Sequence, residues 1–298
     1  MTGALVVDKP AGPTSHDVVA CARRALGERR IGHTGTLDPL ATGVLVLLVG
    51  GATRLARFLS SDEKEYVADI RLGIATPTYD AESVPEGEAS TSEIPPDAEI
   101  ERALDGFRGT FLQTPPPYSA KKVAGTPAYV HARRERPAEL KPVEVTIREL
   151  ERLPSDEAGM IRLRLVSTSG FYVRSLAHDL GQRLGCGAHL ASLRRTRAGA
   201  FVVEDAIPLD VLASRPDEAR ARMLSPDRLL GGLAGVVLTG QGVDRAVHGG
   251  PIGPALTVPA GAAPPGAGPI RLMDGAGRLI AVAERRPDGL LHPLVVMR

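Results

Sequence analysis

Gly43–Gly50, "GVLVLLVG", constrains this chain more than any other stretch. Six aliphatic residues run unbroken between two glycines. The length suits a strand, and the lack of any polar residue at alternate positions requires cover on both faces. The chain therefore needs a sheet with a packed layer on each side. "EYVADIRLG" (65–73) supplies a second strand of another kind. Tyr66, Ala68, Ile70 and Leu72 share one face, and Val67, Asp69 and Arg71 the other, as in a half-buried strand. "VEVTIREL" and "MIRLRLVST" alternate too and read as antiparallel strands.

Helices are marked by their ends. "TSHDVVACARRALG" predicts a helix capped by Ser15 and stopped at Gly27. "DAEIERALDGFRG" gives a second, and "YVRSLAHDLGQRLG" a third with Arg174 in its first turn. Strands and helices mix without a βαβ repeat, which predicts an α+β chain with a mixed sheet. Near residue 230 the sequence turns Gly-rich ("LLGGLAG"), and short β-like runs follow, with a hairpin in "MDGAGRLIAVAE". This predicts a first domain over 1–230 and a small β-barrel-like one over 231–298. "VPAGAAPPGAGP" (258–269) reads as a flexible loop, and 76–98, acidic and rich in Pro and Ser, as an exposed one.

Composition excludes several classes. Cys21 and Cys186 are the only cysteines, and neither lies in a CxxC or Cys/His cluster, so no metal site is predicted. The N-terminus has no basic and apolar leader, and no stretch of about 18 apolar residues exists, so a soluble, cytoplasmic protein without a membrane partner is expected. Net charge is only +1. Its distribution says more: 160–200 carries seven arginines against Asp179, and 78–105 nine acids against Arg102. The basic stretch is either an anion-binding face or an ordinary solvated surface.

"GHTGTLDPLATG" (32–43) raises the chemical question. Asp38 before Pro39 reads as a helix N-cap. The other reading is a reactive carboxylate held out from a tight turn.

Five stretches taken together resemble the bacterial tRNA pseudouridine-55 synthase family, TruB: "DKPAGPTSHDVV" (8–19), "GHTGTLDPLATGVLVLLVG" (32–50), "KEYVADIRLG" (64–73), "SGFYVRSLAHDLG" (169–181) and "GAHLASLRRTRAGAF" (187–201). The resemblance covers about residues 3–230. It implies a pseudouridine synthase fold, with a mixed, largely antiparallel central sheet flanked by helices. Beyond 231 the tail resembles a PUA-type RNA-binding domain more loosely.

The activity implied is an isomerisation of uridine 55 in the tRNA T-loop. The base is flipped out, detached at N1, rotated and rejoined through C5. Flipping costs a few kcal/mol and stacking returns part of it. No redox or phosphoryl step occurs, so no cofactor is implied. Asp38 matches the family's essential Asp, acting as nucleophile or as base at the ribose. Tyr66 matches the tyrosine that stacks on the flipped base; as a strand aromatic it is also a natural core residue. Arg174 matches the arginine that pairs with the Asp, against a surface helix Arg. Tyr172 lines the same pocket or packs on the core, and Leu193 packs on uracil or on the core. His33 matches the wedge that fills the vacated place, against a turn histidine bonded to backbone. Lys9, in "DKP", buttresses the loop. A basic arm of about 120–142, with Lys121, Lys122, Arg133, Arg134, Arg136 and Lys141, closes on the tRNA T stem-loop through phosphate contacts. A monomer is expected. Two rival classes stay open: an RNA-binding protein without chemistry, and a base-excising glycosylase.

Overall fold

The computed structural model describes residues 1–60, 63–84, 94–119, 121–123, 125–132, 139–258 and 268–297. The first part of the chain runs β1 (Gly3–Lys9), α1 (Ser15–Leu26), β2 (Ile31–His33), β3 (Thr42–Val49), a 3-10 turn over Gly50–Leu55, α2 (Ala56–Leu59) and β4 (Lys64–Leu72). Next come α3 (Asp97–Asp105), β5 (Gly109–Gln113), the small hairpin β6 (Lys122–Val123) and β7 (Thr126–Pro127), then α4 (Ala128–Ala132). β8 (Val143–Leu153), β9 (Met160–Ser167), α5 (Val173–Arg183), β10 (Ala188–Ala198), β11 (Phe201–Val202) and β12 (Ile207–Pro208) complete the large sheet. Three short helices follow, α6 (Leu209–Ser214), α7 (Pro216–Ala221) and α8 (Pro226–Leu229).

The large sheet has the order β12-β1-β3-β10-β4-β9-β8-β5, with β2 on β3 and β11 on β10. Within this sheet, among the described residues, only β1–β12 and β3–β10 pair in parallel. This is the mixed, largely antiparallel sheet expected. β3 shows why its sequence is apolar throughout: Leu45, Leu47 and Val49 enter one core, with α1 and α5, while Val44, Val46 and Leu48 enter another on the opposite face. β4 alternates buried and half-buried over its full length, as its sequence pattern requires.

β13 (Gly235–Val237), α9 (Gly240–Val247), β14 (Ile270–Met273), β15 (Leu279–Arg285) and β16 (Leu291–Val296) form a four-stranded sheet of order β13-β14-β15-β16 with a core of its own. Leu279 and Val282 instead join the second core of the large sheet, beside Leu229, Leu230 and Phe201.

Some sequence expectations need correction. Thr14, not Ser15, caps α1: its hydroxyl accepts from Asp17 N and Asp17 answers at Thr14 N, a capping box. Gly27 ends the helix in the left-handed region, as expected. The stretch 76–84 is not simply exposed, because Thr76 and Asp80 are buried. The basic stretch is largely neutralised within the sheet. Arg162 holds Asp69 with two hydrogen bonds, Arg164 meets Glu65 and Glu149, and Arg194 holds Asp8 with two more. These partners sit on other strands of the sheet, so the sequence spacing does not show them. Both thiols are free. Arg133, Arg134 and Arg136, residues 85–93 of the acidic loop and 259–267 of the Gly/Pro-rich loop lie outside the described residues. No helix among the described residues is long and apolar enough to cross a membrane.

Candidate active site

Asp38 is not a helix cap. No helix follows Pro39; the chain makes a short turn closed by Ala41 N donating to Asp38 O at 3.1 Å, then enters β3. The carboxylate is thereby free of its own backbone and presented from a loop. Four groups hold that loop. The Lys9 ammonium, wholly buried at the end of β1, donates to Pro10 O (2.9 Å), Pro39 O (3.1 Å) and Ala41 O (2.6 Å). Ser15 Oγ accepts from Leu37 N at 2.8 Å and donates to Leu37 O at 3.0 Å, which is why the residue expected to cap α1 faces inward. The buried Arg195 guanidinium donates to Val44 O, Gly35 O and Thr36 O. Thr34 N donates to Val46 O. Gly43 makes the close approach possible: its φ is +99°, and a Cβ there would lie 2.1 Å from Arg195 O.

Arg174 comes to Asp38 from the first turn of α5. Nη2 donates to Asp38 Oδ1 at 3.1 Å, and Nε lies 2.9 Å from Oδ2. The Nε–H is aligned with no acceptor, so that second contact is Coulombic. Nη2 also donates to Tyr118 O at 3.0 Å and Nη1 to Thr78 O at 3.1 Å. Nε lies 3.5 Å from Asp80 Oδ2. One guanidinium thus spans two carboxylates and two carbonyls. The Arg174 side chain is 6% exposed and the Asp38 side chain 35%, so the pair is anchored on the arginine side and open on the carboxylate side.

Asp38 opens into a cavity of about 280 Å³ lined also by Tyr66, Tyr172, Arg174, Leu193 and Phe171. Sequence reasoning placed five of its six site residues here. Tyr66 and Leu193 are nearly buried and belong to the main core, so for both the core and the pocket readings hold together. Tyr172 precedes α5 and is half-buried; burial pushes its phenol pKa up, and the Asp38 charge adds to this. The phenol therefore keeps its proton at neutral pH.

His33 does not line the cavity. It lies on β2, five residues before Asp38, edge-on to His16 with ring centroids 5.9 Å apart. Burial lowers its pKa, and His16 and Arg195 lower it further, which keeps the imidazole neutral. Its buried Nδ1 has no hydrogen-bond partner. A backbone hydrogen bond at Gly35 opposes the fall in its pKa, so the alternative, a turn histidine bonded to backbone, keeps its support.

Burial lowers the Lys9 pKa to about 8, with Asp38 among the charges opposing the fall. Asp80 is the residue beside Arg174 that the sequence does not single out. It was counted among the acids of an exposed loop, yet it is 1% exposed and faces Arg174. No local signal marks it. Among the described residues no three His, Cys, Asp or Glu side chains converge as a metal site would need.

A carboxylate clamped by an arginine thus opens onto a tyrosine-lined cavity on a mixed sheet, and the families and relatives that this chain matches are pseudouridylate synthases. Two family descriptions match: "TruB family pseudouridylate synthase (N terminal domain)" over residues 23–173, and "tRNA pseudouridylate synthase B C-terminal domain" over 174–230. The chain belongs to the TruB family of pseudouridylate synthases. It is 40% identical to tRNA pseudouridine synthase B of Solibacter usitatus over 100% of both chains. To that of Thermobifida fusca it is 42% identical over 99% of this chain and 98% of the other. Among solved structures, a Cbf5-Nop10-Gar1 complex superposes with a TM-score of 0.70 at 27% identity, covering 95% of this chain and 78% of the other. An H/ACA RNP bound to a substrate RNA containing 2'-deoxyuridine gives 0.75 at 24%, covering 99% and 85%, and shares the fold.

Proposed function

We propose that this chain converts uridine 55 in the T-loop of tRNA to pseudouridine. The observation that carries the reading is the Asp38–Arg174 pair, clamped from behind and open to a cavity between Tyr66 and Leu193. The target uridine is flipped into that cavity, because its glycosidic carbon is out of reach in a stacked loop. Tyr66 stacks on the base and Leu193 packs against it. Asp38, held by Arg174, acts at the ribose or ring as nucleophile or base. The N1–C1′ bond breaks, the base turns within the cavity, and the C5–C1′ bond forms. The proton lost from C5 is balanced by the one gained at N1, so no oxidant enters. Tyr66 assists that proton transfer. Tyr172 shapes the pocket wall as a neutral phenol. His33, neutral and just outside the cavity, fills the place the base has left.

Residues 1–230 carry the chemistry, with the arm of about 120–142 closing on the T stem-loop. Residues 231–298 form a PUA-type RNA-binding domain. The protein works as a cytoplasmic monomer, where its tRNA substrate is.

The test is incubation of the purified protein with an unmodified tRNA transcript, with pseudouridine mapped by chemical derivatisation and free uracil measured alongside. One pseudouridine in the T-loop without free uracil is the expected result. Free uracil identifies a glycosylase, and binding without either product a protein that only holds RNA.

A further inference from the structure

Tyr79 is the only residue other than glycine with positive φ among the described residues, at +65°. Glycine takes that conformation freely, and a tyrosine takes it at the backbone's expense. Its ring lies flat on His178 of α5, with centroids 3.8 Å apart and planes 12° from parallel. His178 sits one helical turn beyond Arg174 on the same helix. The residues on either side of Tyr79 are the two that serve Arg174 from this loop. Thr78 O accepts from Nη1 at 3.1 Å, and Asp80 Oδ2 lies 3.5 Å from Nε.

The remaining bonds fix the loop's internal shape and its seat on the sheet. Tyr79 N donates to Thr76 O, and Tyr79 O accepts from Leu190 N on β10. Thr76 Oγ1 donates to Asp80 O at 2.7 Å, and Thr78 Oγ1 to Asp80 Oδ1 at 2.5 Å. None of these reaches α5. The ring stack does, and it reaches the helix that carries Arg174.

We propose that Tyr79 and His178 are positioning residues: their stack pins the left-handed turn against α5, so that the Thr78 carbonyl and the Asp80 carboxylate meet Arg174 together. Arg174 then holds one orientation, and through it Asp38 is aimed. The proposal rests on the pseudouridine-forming reading above, and its test includes a readout that does not.

The variants are Tyr79→Phe, Tyr79→Gly, Asp80→Asn and the double change Tyr79→Gly/Asp80→Asn, each checked by thermal melting. Tyr79→Phe keeps the stack, and its single-turnover rate at saturating tRNA stays within about twofold of wild type. Tyr79→Gly relieves the backbone and removes the ring; its rate falls up to about tenfold, the range of an aromatic pair, while tRNA Kd is unchanged. The double variant is no slower than Asp80→Asn alone, since both changes act through Arg174. Independently of turnover, hydrogen exchange at the Arg174 Nη1 group, which donates to Thr78 O, is slow in wild type and Tyr79→Phe and faster in Tyr79→Gly. A Tyr79→Gly protein with wild-type rate or undisturbed Arg174 exchange overturns the proposal, as does a double variant in which the two losses multiply.

Discussion

Arg174 meets Asp38 across 136 residues of sequence, with Nη2 3.1 Å from Oδ1 and Nε 2.9 Å from Oδ2. The guanidinium is buried and the carboxylate is not. That asymmetry lets an arginine fix the direction of a carboxylate that stays open to the cavity.

Arg174→Lys is therefore not a conservative change. An ammonium on a flexible stem cannot serve Asp38, Thr78 O and Tyr118 O at once. Loss of one partner of a buried ion pair costs about 3–5 kcal/mol, and half of that in the transition state slows turnover roughly tenfold or more. Arg174→Ala should be nearly inactive and Arg174→Lys intermediate, with tRNA affinity little changed in both. Single-turnover rates with parallel melts check this, and near-normal turnover in Arg174→Ala would reduce Arg174 to a structural residue.

Lys9 predicts a pH dependence. Its three N–H donors are all used on Pro10, Pro39 and Ala41 carbonyls, and its pKa is lowered to about 8 by burial. Above pH 8 the neutral amine has two N–H donors, so one loop carbonyl loses its bond and Asp38 loses a nearby positive charge. The rate should fall as pH rises through about 8, and Lys9→Met should be slower but lack that limb. The stability sign is opposite. Between about 8 and the unfolded value of 10.5 the unfolded chain binds the extra proton, so this group makes stability rise with pH. Rates and melts from pH 6.5 to 9.5 separate the two effects; a common alkaline limb in wild type and Lys9→Met would remove Lys9 from the account.

Much of this was legible in the sequence, for reasons that differ by residue. The apolar run of β3 and the alternation of β4 are local consequences of which faces are covered. Asp38, Tyr66 and Arg174 came from the family's motifs, and the structure brings them to one cavity. Asp80 was not legible, because its burial depends on contacts with α5 and β10 distant in sequence. The same holds for the arginines of β9 and β10: their acidic partners are set by strand register, which charge counting along a chain does not contain. Ser15 missed by one position, since Thr14 with Asp17 makes the better cap and frees the serine for Leu37.

The C-terminal sheet is not a detachable appendage. Leu279 and Val282 are buried in the large sheet's second core, Leu279 N donates to Asp227 Oδ1 at 2.5 Å, and Arg54 Nη1 donates to Val296 O at 2.6 Å. Burial of two such side chains contributes about 3–6 kcal/mol, so removal of 231–298 should lower Tm by roughly 10 °C or more. Well below that Tm, tRNA binding should weaken while single-turnover chemistry at saturation survives. Scanning calorimetry and single-turnover assays test both, and an unchanged Tm would mean that the packing of Leu279 and Val282 adds nothing.

In the proposed reaction the Asp38 carboxylate performs the chemistry. Asp38→Asn keeps the size of the side chain and removes its charge, while RNA affinity rests mainly on phosphate contacts elsewhere. The deciding measurement is single-turnover pseudouridine formation on an unmodified tRNA transcript by wild type and Asp38→Asn, with Kd for both. One pseudouridine in the T-loop is expected from wild type and none from Asp38→Asn, with affinities within about tenfold of each other. More than about one-twentieth of wild-type turnover in Asp38→Asn, a barrier change under about 2 kcal/mol, would contradict it.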